Sequence, residues 1–115
     1  MTNEKKPYDL EERTFQFSKS IALFCKKLPK TMSNAEYIKQ LVRSSGSVGA
    51  NYIEANEALS KKDFLMRIKI ARKEAKESAY WLRLIMETNN KPEDGPDLYD
   101  EAAQLKKILS SILNK

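Results

Sequence analysis

Histidine is absent from this chain, and cysteine occurs once, at Cys25. Without histidine there is no Ser-His-Asp triad, no proximal haem ligand and no ordinary zinc site. A lone cysteine cannot close an intrachain disulfide, which points to a reducing, cytoplasmic setting. Apolar runs are short, and none approaches the ~20 residues that span a bilayer, so no membrane association is expected. The opening MTNEKKPYDLEER lacks the apolar core and cleavage site of a signal peptide. Period-two alternation is also missing, which removes sheets from consideration. Only three glycines are present, and two of them fall in one stretch, RSSGSVGANYIEANEALS, residues 43–60.

What remains is a helical sequence of one-domain size. Hydrophobic residues make up 41% and charged residues 32% of residues 1–115, a globular balance. Four amphipathic segments are expected, at about 9–28, 33–58, 61–88 and 97–113. In the first, Asp9 and Glu12 have capping-box spacing with Pro7 upstream. Leu10, Thr14, Phe17, Ile21, Phe24 and Leu28 then make one stripe that Pro29 ends. Cys25 reads as a buried small hydrophobe beside that stripe. Ser33 and Glu36 form a second capping-box pattern, ahead of the stripe Ile38, Leu41, Val42, Ser45, Val48, Gly49, Tyr52 and Leu59.

The helical period runs straight through Gly46 and Gly49. A phosphate-cradling glycine loop needs a strand before it, and none is readable here. The small residues Ser45, Gly46, Gly49 and Ala50 instead suit close approach by a neighbouring helix. Ser60 caps the third segment, whose core stripe is Phe64, Ile68, Ala71, Ala75, Ser78 or Ala79, Leu82 and Ile85. NNKPEDGP, residues 89–96, is a loop. The last segment carries Leu98, Ala102, Leu105, Ile108 or Leu109, and Ile112. Short links between four such helices predict an all-α, up-down-up-down antiparallel four-helix bundle.

Two polar constellations stand out. Arg43, Ser47, Asn51 and Glu54 share one edge of the second helix, and Glu74 and Glu77 lie beside the core stripe of the third. They read either as an exposed polar flank or as a partly buried network. In the second case Arg43 pairs with one of the two carboxylates, across helices or across subunits. An all-carboxylate magnesium site from Glu54, Glu57, Glu74 and Glu77 is a weaker reading, because the adjacent arginine and lysines would neutralise it. With no base, nucleophile or metal motif, no enzyme activity, catalytic residue, metal or cofactor is expected.

The second constellation is basic. The chain carries a net charge of +5, and residues 61–83 alone hold eight basic groups against three acidic ones. Lys62, Lys69, Lys73, Lys76 and Arg83 fall on one face of the third helix, opposite its core stripe, with Met66 and Tyr80 at the remaining places and Arg67 and Arg72 as flanks. A merely solvated face usually mixes signs. A single-sign row suits a nucleic-acid backbone, and Tyr80 suits stacking on an unpaired base. With one aromatic on the row, backbone contact is expected rather than base readout. Trp81, at the margin of the core, reads as packing or as a subunit contact.

RSSGSVGANYIEA (43–55) followed by KKDFLMRIKIARKEAKESAYWLRLI (61–85) resembles a family of small bacterial four-helix-bundle proteins first described from intervening sequences of large-subunit ribosomal RNA genes. The matching positions are Arg43, Ser44, Ser47, Asn51, Glu54, Asp63, Phe64, Ala71 and Glu74 or Glu77, and the likeness extends over about residues 8–113. Glu54 is followed by Ala55 where many members of that family have Glu-Gly. The resemblance implies assembly into a homopentameric ring. It also implies kinship with the accessory protein of diversity-generating retroelements, which binds nucleic acid and a reverse transcriptase. On that basis the expected partners are further copies of the chain, nucleic acid, and a reverse transcriptase or other nucleic-acid enzyme.

Overall fold

The computed structural model describes residues 9–115, and the expectations on Pro7 and the preceding residues lie outside them. Four helices follow one another: α1 (Leu10–Lys26), α2 (Met32–Asn56), α3 (Lys61–Thr88) and α4 (Gly95–Leu113). No strand occurs among the described residues. Helix α3 packs between α2 and α4, while α1 lies against α2 and touches α4 more lightly. The cross-helix contacts run in opposite chain directions. Thr14 and Ser18 of α1 approach Gly49 and Gly46 of α2, and Asn34, Ser44 and Asn51 of α2 meet Asn89, Ser78 and Arg67. The bundle is therefore antiparallel.

The α1 stripe is buried as expected, from Leu10 through Thr14, Phe17, Ile21 and Phe24 to Leu28. Cys25 is buried with it, and desolvation pushes its thiol up to about 11. On α3, Ile68, Ala71, Ala75, Ser78, Leu82 and Ile85 are all buried, with Phe64 and Ala79 partly so. Helix α4 contributes Leu98, Ala102, Leu105 and Leu109, with Ile108 and Ile112 at the margin.

Several boundaries differ from expectation. Asp9 makes no side-chain cap, so the capping box with Glu12 does not form. Thr31, not Ser33, caps α2: its side chain accepts from the Asn34 N–H at 3.1 Å, two residues earlier than the Ser33–Glu36 pattern suggested. Helix α4 opens at Gly95, with Pro96 in its first turn, where a missing N–H costs nothing. Ser60 does cap α3, accepting from the Asp63 N–H at 3.1 Å. At the far end α3 closes with Asn90 and Lys91 in the left-handed region (φ 57° and 51°) and a Lys91 N–H bond back to the Met86 carbonyl at 2.9 Å. This Schellman-type end favours asparagine where glycine is absent.

The α2 stripe is rotated from its expected place. Val42 is 44% exposed and Leu59 fully so, whereas Ser44 and Ala55 are buried. The reason is that α2 has two neighbours. Ser45 and Gly49 lie on its α1 side, and Ser44 meets Ser78 of α3 with 3.0 Å between hydroxyls. Gly49 is the close approach: a Cβ there would sit 2.8 Å from Thr14 Oγ1. Gly46 is looser, 3.8 Å from Ser18 Oγ, and Ala50 is exposed.

Candidate nucleic-acid interface

Two sets of polar side chains flank one another on α3, and their geometry differs. The first is a clamp across the α2–α3 seam. Arg43 forks between two carboxylates, donating through Nη1 to Glu74 at 3.3 Å and through Nη2 to Glu77. Residues 74 and 77 are one helical turn apart, so both can face one guanidinium. Glu74 is buried to 9% exposure. The Trp81 indole N–H donates to Glu77 at 2.9 Å. That bond, followed by those to Arg43 and the charge of Lys73, holds the Glu77 carboxyl below its ordinary range, while the two carboxylates hold the Arg43 guanidinium above its own. The pairing is thus across helices within one chain and uses both carboxylates.

Further along the seam, Asn51 donates to the Ser47 carbonyl at 2.9 Å and accepts from Arg67 at 3.2 Å. Arg67 is thereby turned into the seam and away from the basic row. Glu54 and Glu57 are exposed near the end of α2. Among the described residues no three His, Cys, Asp or Glu side chains converge as a metal site would require. The four carboxylates of the magnesium reading are not gathered, since Arg43 takes two of them.

The second set is the row itself. Lys62, Lys69, Lys73, Lys76 and Arg83 are all exposed, and Tyr80 is 58% exposed among them. Arg72 is half-buried at the margin. None of the five row cations takes part in an ion pair among the described residues, whose four pairs use Arg13, Lys27 and Arg43. At 1.5 Å per residue the row from Lys62 to Arg83 is about 32 Å long. Its beginning borders a shallow hollow lined by Ser60, Lys62, Asp63, Leu65, Met66 and Lys69.

Other features had no clear signature in the sequence. Lys106, Lys107 and Lys115 line an open hollow with Ser110, Ser111 and Asn114 at the end of α4. Residues 84–115 carry more acid than base in sum, but the acids all precede the lysines of α4. Asn34 and Asn89 exchange amide bonds at 2.8 and 2.9 Å, tying the α1–α2 turn to the end of α3. Arg13 grips Glu101 with two bonds, at 2.8 and 2.9 Å, and joins α1 to α4.

No helix among the described residues is long and apolar enough to cross a membrane. The model of one family, described as 23S rRNA-intervening sequence protein, matches residues 7–111. Among solved structures, a protein of unknown function from the S23 ribosomal protein family of Bacteroides thetaiotaomicron VPI-5482 is similar, with a TM-score of 0.80 and 29% identity. The match covers 91% of this chain and 98% of that one. No protein of curated function matches.

Proposed function

The chain belongs to the 23S rRNA-intervening sequence protein family, and from that premise we propose that it is a non-enzymatic, oligomeric protein that holds the phosphate backbone of nucleic acid on the basic row of α3. The observation that carries this reading is the run of exposed cations of one sign, Lys62, Lys69, Lys73, Lys76 and Arg83, on a rigid helix. Each phosphate neutralised by such a row releases a counterion, so binding falls steeply with salt. Several copies in one assembly would multiply a weak contact through effective concentration. The oligomeric part is supported by apolar side chains left in solvent. Val42 and Ile53 flank Gly46 and Gly49 at helical spacing on α2, and Phe15 adjoins Thr14 on the facing helix. Those same side chains favour a second reading, in which this face docks a protein partner such as a reverse transcriptase or another nucleic-acid enzyme.

The test is equilibrium binding of RNA and DNA as a function of salt, with light scattering to give the oligomeric state. Five engaged cations give a log–log slope of about −3.5 to −4.5 per protomer. Replacing Lys69, Lys73, Lys76 and Arg83 together by Glu abolishes binding without unfolding an exposed face. Absence of binding at low salt, or indifference to this charge reversal, refutes the proposal.

A further inference from the structure

Charge alone does not account for Tyr80 in the middle of the row. Lys76 lies one turn before it, Arg83 one turn after, and Lys73 two turns before. An exposed tyrosine by itself is ordinary. This one is the outer member of three rings in contact. Tyr80 meets Trp81 edge to face, with centroids 5.0 Å apart and an interplanar angle of 79°. Trp81 stacks on Tyr37 of α2 at 6.3 Å and 29°. The indole is also pinned from its polar side by Glu77, which Arg43 holds in turn. Two helices thus fix Trp81, and Trp81 gives the Tyr80 ring a firm neighbour while most of that ring stays in solvent.

From this ledge we infer that the row takes a single strand of nucleic acid rather than a duplex, with an unpaired base stacked on Tyr80 and its phosphates on Lys73, Lys76 and Arg83. The inference rests on the backbone-binding function proposed above. A duplex buries its base faces against one another and offers a helix only phosphates and groove edges. A single strand offers phosphates and open π-faces together, which is the chemistry that alternating cations and a ring recognise. A ring already held by its neighbours loses little freedom on stacking. Because every base has a face, the contact selects strandedness and not sequence.

The experiment compares a labelled, unstructured RNA oligonucleotide with the duplex formed on its complement, at equal salt. The wild-type protein binds the single strand more tightly. Tyr80→Ala weakens single-strand binding about 5- to 150-fold, the loss of one base–aromatic stack, and leaves duplex affinity and the salt slope unchanged. Tyr80→Phe keeps wild-type affinity. Trp81, the sole tryptophan, changes its emission on adding the single strand and not the duplex. Tighter duplex binding, a Tyr80→Ala effect within twofold, or equal losses on both probes overturns the inference. If the four-residue charge reversal abolishes binding while Tyr80→Ala is silent, the single-strand inference fails and backbone binding stands. If the wild-type protein binds neither probe at low salt, both fail.

Discussion

Alanine at the two glycines of α2 should shift stability in opposite directions. Both sit inside a 25-residue helix, where glycine is about 1 kcal/mol worse than alanine. At Gly46 the nearest atom to an added Cβ is Ser18 Oγ, 3.8 Å away, an ordinary contact. Gly46→Ala is expected to stabilise the protein by about 0.5–1 kcal/mol. At Gly49 the added Cβ meets Thr14 Oγ1 at 2.8 Å and Thr14 Cβ at 3.2 Å. Thr14 is buried, β-branched and held by hydroxyl bonds to the Leu10 and Glu11 carbonyls at 2.6 and 3.1 Å. Turning it away would break those bonds, so α1 and α2 must move apart. Overpacking of this kind costs about 1–3 kcal/mol, and the propensity gain offsets only part of it. The net expectation for Gly49→Ala is a loss of up to about 2 kcal/mol. Thermal unfolding at one fixed protein concentration reads this out, at about 4 °C per kcal/mol for a domain of this size. Adding Thr14→Ala to Gly49→Ala should recover part of the loss, a non-additivity of neighbours. If Gly49→Ala is as stable as Gly46→Ala, the claim of close approach is wrong.

Two further outcomes follow from the polar contacts. Asn34→Ala removes the 2.9 Å bond to the Pro29 carbonyl and both bonds to Asn89, from a side chain only 2% exposed. A loss of about 2–3 kcal/mol in denaturant unfolding is expected, and a change under about 0.5 kcal/mol would count against the pair. Glu77 titrates below its ordinary 4.5 in the folded chain, mainly through the Trp81 indole. Its contribution is complete above that ordinary value and lost as pH falls through the depressed one. Trp81→Phe removes the donor, so between neutral pH and pH about 3 the variant should lose less stability than the wild type; an equal loss in both would refute the assignment.

Helices α1 and α3 were legible because each buries one well-marked stripe, whether against a small-residue face or between two apolar neighbours. Helix α2 was read with its stripe rotated, since a single-seam reading prefers Val42 to Ser44. The buried serine hydroxyl bonds Ser78 and the Leu41 carbonyl, and a partner on another helix is one that periodicity along a single helix does not reveal. Cap identity failed at Thr31 for a related reason. Thr31 and Ser33 are both good caps, and the choice falls to Asn34, whose amide has to reach Pro29 and Asn89. The Arg43 clamp was visible as an arginine and two carboxylates on facing edges. The three-ring ledge was not, because Tyr37 comes from the other helix.

The single sign of the row is itself a product of packing. Residues 61–83 contain three acids that would mix charge into α3, namely Asp63, Glu74 and Glu77. Asp63 sits in the first turn, where its charge favours the positive end of the helix and its N–H is capped by Ser60. Glu74 and Glu77 lie on the flank facing α2, where Arg43 holds both. Glu74 and Glu77 are thus held by the clamp, and the cations opposite the core form no ion pair among the described residues. Arg43 stands on another helix and carries a charge that Glu74 and Glu77 neutralise. It nonetheless shapes the field of α3, because its charge offsets those of Glu74 and Glu77, the second of which also feels Lys73. The clamp and the row are therefore coupled: the contact that joins α2 to α3 also holds the two acids beside the middle of the row, and Glu87, one turn past Arg83, is the acid that ends it.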